Sequence, residues 1–229
     1  MTQSQTIALI DDDRNITTSV SMMLQVEGFT TIIAHDGEDG FKLIKDNKPD
    51  LAILDIKMPR MDGMELLKKL RTEFTLPIIM LTSKDDEIDQ ISGLQSGADD
   101  YITKPFSQKL LLERIRSLLR RVSLSSVTTS SIHHGDLEMN DERHEIKWQG
   151  KNIVFTVTEY LLVRSLAFKP GIVKTRDQLI TDAYDESTFV DDRIIDTHIK
   201  RIRKKFRDCD ETFDKIETLY GVGYRYKDK

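Results

Sequence analysis

Cysteine is almost missing: Cys209 is the single one in 229 residues. That excludes an internal disulfide and any metal site built from several cysteines, and it fits a reducing cytoplasm. Long apolar runs are missing too. No stretch approaches the roughly 20 residues that cross a bilayer, so an integral membrane protein is set aside. The opening "MTQSQTIALIDDD" has no basic segment ahead of its short apolar run, and no secretory signal is expected there. Glycine-rich phosphate cradles are also lacking. Neither G-x-x-x-x-G-K-S/T nor G-x-G-x-x-G follows a strand-like run, and "GVGYRY" has two glycines and precedes no helix. P-loop and dinucleotide enzymes are thereby excluded.

An excess of positive charge is lacking overall, the net charge being −5, but its distribution is uneven. Residues 1–121 carry 16 Lys+Arg against 20 Asp+Glu, and residues 131–229 carry 18 against 19. Within the second half, 193–207 holds seven cations against Asp196 alone. What is present is a soluble, highly charged composition, 38% hydrophobic and 32% charged, on a chain long enough for two domains with a core each.

The two halves have different rhythms. In the first, short β-rich runs, "TIALI" (6–10), "TTIIA" (30–34), "LAIL" (51–54), "PIIML" (77–81) and "DYIT" (100–103), alternate with helix-like stretches. Those stretches fall near 15–27, 37–47, 62–74, 86–96 and 107–121. Five strands alternating with five helices predict an α/β domain with a doubly wound, five-stranded parallel sheet. After Arg121 the pattern stops. "VSLSSVTTSSIHH" (122–134) is rich in Ser and Thr without periodicity and reads as a linker. The remainder, 135–229, opens with short alternating segments and a hairpin signal at Gln149-Gly150, then shows three helix candidates and a terminal pair of strands hinged at Gly221 and Gly223. An α+β domain is expected there.

In a doubly wound sheet, ligands bind at the carboxyl ends of the strands. Here those ends carry chemistry. The first strand runs into Asp11-Asp12-Asp13, the third into Asp55, the fourth into Thr82-Ser83 and the fifth into Lys104-Pro105. Taken singly, each has a plain structural role, as a helix cap or a turn residue. Together they place carboxylates from two strands in one crevice, where they repel unless a cation lies between them. Mg²⁺ suits hard oxygen ligands of this kind. A carboxylate beside such an ion, with a hydroxyl and an ammonium near, is equipped to attack a phosphoryl group.

"LIDDD", "LAILDIKMPRMDG", "IIMLTSKDD" and "GADDYITKPFS" closely resemble the signature of the two-component response-regulator receiver domain, over residues 5–121. The resemblance implies that Asp55 accepts a phosphoryl group from a sensor histidine kinase. It implies that Asp11 (through water), Asp12, Asp55 and the main-chain carbonyl of Lys57 hold Mg²⁺. It further implies that Thr82 and Lys104 contact the phosphoryl group and that the rotamer of Tyr101 reports it. In this family, the face made by the fourth helix, fifth strand and fifth helix pairs two receivers on phosphorylation, and Asp99, Asp100 and Arg114 match its charged residues. Gln90 and Leu110 depart from the oppositely charged pair common at those positions.

From Arg193 to Phe206, Ile195, Ile199, Ile202 and Phe206 form an apolar stripe, while Arg193, Thr197, Lys200, Arg201 and Lys204 line another face. A helix anchored on one side and cationic on the other suits the major groove, although most charged helix faces are simply solvated. "VDDRIIDTHIKRIRKKF" with "IETLYGVGYRY" resembles the winged-helix effector domain of OmpR/PhoB-type regulators over 135–227. By that match Arg193, Thr197, Lys200, Arg201 and Arg203 lie near promoter DNA, with Thr218 and Tyr220 in the wing. Tyr220 stands where many relatives carry Arg. From the helix alone, Arg201 reads as a guanine contact and Lys204 as a phosphate contact. The segment 184–190 matches one that faces RNA polymerase in the family. "SKDDEIDQISGLQSGADDYITKPFSQ" and "YDESTFVDDRIIDTHIKRIRKKF" look most similar to ChvI-type regulators, which implies a ChvG-type membrane kinase as partner. The resemblance implies a cytoplasmic regulator, not an enzyme. A haloacid-dehalogenase-type hydrolase would need a second Asp two residues after the first, where Lys57 stands. A one-component repressor would need an apolar ligand pocket.

Overall fold

The computed structural model describes residues 4–83, 97–124, 131–141, 144–184 and 193–228, without the side chains of 122–124 and 193. The chain divides into two compact units, Met1–Leu119 and Arg120–Lys229.

Residues of the first unit alternate strictly along each strand, and this alternation builds two cores. β1 (Thr6–Ile10), β2 (Thr30–Ala34), β3 (Leu51–Asp55), β4 (Ile78–Ser83) and β5 (Asp100–Lys104) form one parallel sheet in the order β2-β1-β3-β4-β5. Ile7, Leu9, Leu51, Ile53, Ile79 and Leu81 point to one face, where α1 (Arg14–Val26) and α4 (Gln108–Leu124) cover them. Ala8, Ile10, Ala52, Leu54, Ile78 and Met80 point to the other, against α2 (Gly37–Asn47) and α3 (Gly63–Glu73). Burial on both faces explains why these strands read as nearly continuous apolar runs. The expected helix at 86–96 lies outside the described residues. Asp13, Asp36 and Asp62 cap α1, α2 and α3, each carboxylate accepting main-chain N–H groups of the first turn.

The second unit opens with a four-stranded antiparallel sheet, β6 (Ser131–His134), β7 (Leu137–Asn140), β8 (Glu145–Trp148) and β9 (Lys151–Ile153). The stretch 122–134, expected as linker, therefore begins inside α4 and ends in β6, with 125–130 outside the described residues. Ile132 is the reason for the strand: it is buried and pairs across to Met139, a contact that Ser/Thr content does not reveal. Gln149 and Gly150 both take positive φ, as a tight two-residue hairpin turn requires. Three helices follow, α5 (Val157–Ala167), α6 (Arg176–Ala183) and α7 (Arg193–Cys209), then the β10 (Ile216–Leu219) and β11 (Gly223–Tyr226) hairpin. Ile195, Ile199, Ile202 and Phe206 of α7 are wholly buried, and Phe206 stacks on Phe213 beside Trp148 and Phe155. This is a winged helix with α7 as its third helix.

Candidate functional site

The parallel register brings the carboxyl ends of β1, β3, β4 and β5 to one edge. There, the ligand atoms of Asp11, Asp12 and Asp55 all lie within 4.8 Å of one another. Asp11 is wholly buried, Asp55 is 6% exposed, and Asp12 faces out. The Lys104 ammonium bridges them, 2.8 Å from Asp11 Oδ2 and 2.6 Å from Asp55 Oδ1. Burial raises the Asp55 carboxyl above its ordinary range; Lys104 opposes that, and Asp11 and Asp12 add to it. Burial acts to lower the Lys104 ammonium, but its hydrogen bonds to Asp11 and Asp55 outweigh this and raise it. Three carboxylates against one ammonium leave the crevice short of positive charge. A donor set of hard oxygens in that condition fits a divalent cation of the Mg²⁺ type.

Asp55 is held from behind by the loop that follows it. A Cβ at Gly63 would overlap the Asp55 carbonyl oxygen, so only glycine permits this approach. Gly63 N donates to the Ile56 carbonyl at 2.8 Å, and Arg60, at φ 66°, pairs with Asp36 and Asp39 at the start of α2. Thr82 is wholly buried at the end of β4, its hydroxyl donating to the Ser83 carbonyl at 3.2 Å. Lys57 reaches Ser83 Oγ at 3.5 Å. Tyr101 packs against the cluster of Ala52, Leu54 and Met80.

The residues expected on a receiver pairing face separate. Asp100 and Arg114 pair with each other at 3.5 Å. Asp99 does not belong with them. It is wholly buried, its Oδ2 accepting from Arg71 Nη2 at 2.8 Å and from the Ile78 N–H at 2.9 Å. Arg71 also donates to the Gly97 and Leu76 carbonyls, so this ion pair seals the approach to β4 and β5. Sequence position showed an acid; only packing shows that it faces inward. Leu110 is exposed.

In the second unit the cations of α7 also separate. Lys200 and Lys204 are exposed, Lys204 reaching Asp208 at 3.1 Å. Thr197 lies half-buried, one turn from Arg193 and one from Lys200 along the helix. Arg203 is turned to the wing, donating to the Ile216 carbonyl at 2.9 Å and Thr218 Oγ1 at 2.8 Å, with its guanidinium over the Tyr224 ring. Arg203 and Thr218 therefore brace the wing in this state, where contact with DNA was expected. Arg201 is likewise turned inward, 2.9 Å from Glu159, a wholly buried carboxylate of α5. Glu159 is the residue that sequence reasoning missed. Its signal was present, since Thr156 and Glu159 have the T-x-x-E spacing of a reciprocal helix cap, and the structure contains that cap. Tyr220, 94% exposed, stands at the wing tip. The loop 185–190 and the Arg193 side chain lie outside the described part.

An acid crevice at the strand ends of a doubly wound domain, joined on one chain to a winged helix, defines a DNA-binding regulator with its own input domain. Comparison with known proteins agrees. The response regulator receiver domain family matches residues 7–116, and the family described as transcriptional regulatory protein, C terminal, matches 150–226. The chain is 37% identical over 224 residues to the DNA-binding response regulator MtrA of Mycolicibacterium smegmatis, covering 98% of this chain and 97% of that one. It is 34% identical over 239 residues to the transcriptional regulatory protein CseB of Streptomyces avermitilis, covering 99% and 100%. Among solved structures it is similar to the response regulator DrrB of Thermotoga maritima, an OmpR/PhoB homolog, at 30% identity and TM-score 0.50, covering 98% and 100%. The chain belongs to the OmpR/PhoB family of two-component response regulators.

Proposed function

We propose that Asp55 accepts a phosphoryl group from a phosphohistidine of a sensor kinase, and that this modification controls promoter binding by the winged helix. The observation that carries the reading is the buried Asp55 carboxylate with Lys104 at 2.6 Å and Asp11 and Asp12 beside it. The Asp55 carboxylate forms an O–P bond as the donor N–P bond breaks; that electron pair stays on the imidazole, which takes up a proton. Lys104 exchanges its carboxylate partners for a phosphoryl oxygen, and the Thr82 hydroxyl turns to another. Asp12, Asp55, the Lys57 carbonyl and, through water, Asp11 would hold Mg²⁺, which when bound offsets charge on the transferring oxygens.

The added charge and acceptor oxygens then draw Thr82 and Tyr101 toward the crevice. Two receivers pair through the face that includes β5 and α4, with Asp100 and Arg114 as its charged residues. On DNA, α7 enters the major groove with Arg193, Thr197, Lys200 and Lys204 toward it, and Tyr220 at the wing tip reaches the flanking groove. Arg201 reaches the same groove only by leaving Glu159. The wording of 83–108 and 184–206 supports a ChvI-type regulator with a ChvG-type membrane kinase, and 184–190 a contact with RNA polymerase. Acetyl phosphate with Mg²⁺ should yield an acid-stable, hydroxylamine-labile adduct on the wild type. Its persistence in Asp55→Ala, or its absence from the wild type, would remove the assignment.

A further inference from the structure

Two loops supply the ligands assigned to Mg²⁺, residues 11–12 after β1 and 55–57 after β3. The turn between β2 and α2, residues 35–37, supplies none, yet it touches both loops. His35 Nδ1 lies 3.0 Å from the Asp11 carbonyl oxygen. A carbonyl oxygen only accepts, so Nδ1 carries the proton and donates. Asp36 is buried and divides its two oxygens. Oδ1 accepts the Glu38 and Asp39 N–H groups at 2.9 and 3.0 Å, and Oδ2 pairs with the Arg60 guanidinium. Arg60 also donates to Asp39 Oδ2 at 3.1 Å. Gly37 lies so near Met61 that a Cβ there would overlap the Met61 carbonyl oxygen.

What these contacts hold differs from side to side. The Asp11 carboxylate is bonded at both oxygens, Oδ1 accepting the Asp13 N–H at 2.9 Å and Oδ2 the Lys104 ammonium at 2.8 Å. Asp12 is exposed, and the direction of its carboxylate follows the plane of the Asp11–Asp12 peptide. Turning that plane would change ψ of Asp11 and φ of Asp12 and carry the Asp12 side chain with it. The oxygen of the plane is the atom that His35 holds. On the other side, Arg60 sits at φ 66°, a left-handed backbone that a residue other than glycine keeps only where its surroundings impose it. It follows Lys57 by three residues, in the loop that the Gly63 N–H closes onto the Ile56 carbonyl at 2.8 Å. Its pairing with Asp36 and Asp39 ties the middle of that loop to α2, and with it the peptide that presents the Lys57 carbonyl.

On the reading of Asp55 as a Mg²⁺-dependent phosphoryl acceptor, on which this rests, we infer that the turn after β2 positions the cation's ligands. His35 aims Asp12 through the Asp11 carbonyl, and Asp36, through Arg60, holds the Lys57 carbonyl in place. These residues reach the site through main-chain atoms and a neighbouring loop, not through the reacting carboxylate. They are positioning residues, and they act on cation affinity rather than on the transfer step once the cation is bound.

The test uses the full chain and two readouts, the Kd for Mg²⁺ from calorimetric titration and the rate of adduct formation from acetyl phosphate across Mg²⁺ concentrations. His35→Ala should raise the Kd roughly three- to tenfold, the scale of one hydrogen bond on which the equilibrium depends. Arg60→Asn, which suits the left-handed backbone and removes the guanidinium, should raise it by a similar factor. The Mg²⁺ concentration giving half the maximal rate should rise in step, while the rate at saturating Mg²⁺ stays within about twofold of wild type. His35→Asn, whose side-chain amide can donate to the same carbonyl, should bring the Kd back to within about twofold of wild type. A merely structural turn would lower the melting temperature in EDTA and leave the Kd unchanged. That result overturns the inference, and so does a His35→Asn as impaired as His35→Ala. Should His35→Ala not fold, Arg60→Asn decides, and a wild-type Kd there refutes the positioning role. If the wild type binds Mg²⁺ but forms no adduct, the phosphoryl reading fails and the Kd values still judge the turn. If it binds no Mg²⁺, both fall.

Discussion

Lys104 holds together two carboxylates that would otherwise repel, and its position at the end of β5 makes it the cation nearest Asp55. Lys104→Ala should slow adduct formation from acetyl phosphate on the order of a hundredfold, the usual cost of one electrostatic donor in a buried site. A rate within threefold of wild type would detach Lys104 from the chemistry. Gly63 acts on the same site from behind. Gly63→Ala must push the Asp55 main chain forward, and should lower receiver stability by about 1–3 kcal/mol and reduce adduct yield in proportion. His198 offers a pH test in the other unit. It is wholly buried, its Nε2 at 2.7 Å from the Tyr184 hydroxyl, and burial lowers its pKa to about 4 from an ordinary 6.5. Arg201 and Lys205 act in the same direction, and Glu159 opposes. The unfolded chain therefore binds a proton that the folded chain refuses between these values. Stability is complete above 6.5 and falls as pH drops toward 4, by about 2 kcal/mol from this residue between pH 7 and pH 5. His144, also lowered by burial, adds to the slope. His198→Gln should flatten the slope in thermal melts over that interval; Glu159, at about 2, titrates below it.

At the scale of the element, α7 divides its residues by angle. One side seats Ile195, Ile199, Ile202 and Phe206 in the core, and two flanks engage Glu159 and the wing. The outward stripe of Thr197, Lys200 and Lys204 is the side that the proposed function assigns to nucleic acid, with both lysines exposed. Lys204→Ala should weaken binding alike to a duplex enriched by the wild type from a random pool and to a mixed-sequence duplex, and reduce the slope of log K against log salt by about 1. A loss confined to the enriched duplex would turn Lys204 into a base contact. The wing is set by different means, through Arg203 on β10 and a guanidinium from Arg176 over Tyr224, whose hydroxyl donates to Asp196 at 2.6 Å. Helix and hairpin are thus tied together through Arg203 and Asp196.

On the scale of the whole molecule, the proposed function requires an event at Asp55 to reach the duplex contacted by α7. In that proposal the link is pairing of receivers, because two copies held together would present two winged helices at a high effective concentration. Phosphorylation with acetyl phosphate and Mg²⁺ should shift the full chain from monomer to dimer in sedimentation velocity, and Asp55→Ala should stay monomeric. Arg114→Ala should remain phosphorylatable yet pair less well, since its ion pair with Asp100 lies away from the crevice. Equal dimerisation of Arg114→Ala and wild type would locate the pairing face elsewhere.

Local composition already contained much of this. The five runs of β-branched residues, the acids at their ends and the period of α7 are short-range features, and each follows from which side chains can be buried on a strand or one face of a helix. Asp55, Asp11 and Lys104 were legible for that reason, because a parallel sheet delivers every strand end to one edge whatever its details. The β6 strand inside a Ser/Thr-rich stretch was not, since it depends on Ile132 finding Met139. Nor were the fates of Asp99 and Arg201, where the spacing showed charge but not its direction. Each is paired with an opposite charge distant in the chain, Arg71 or Glu159, and long-range pairing of that kind is chosen by the cost of leaving a buried charge unsatisfied.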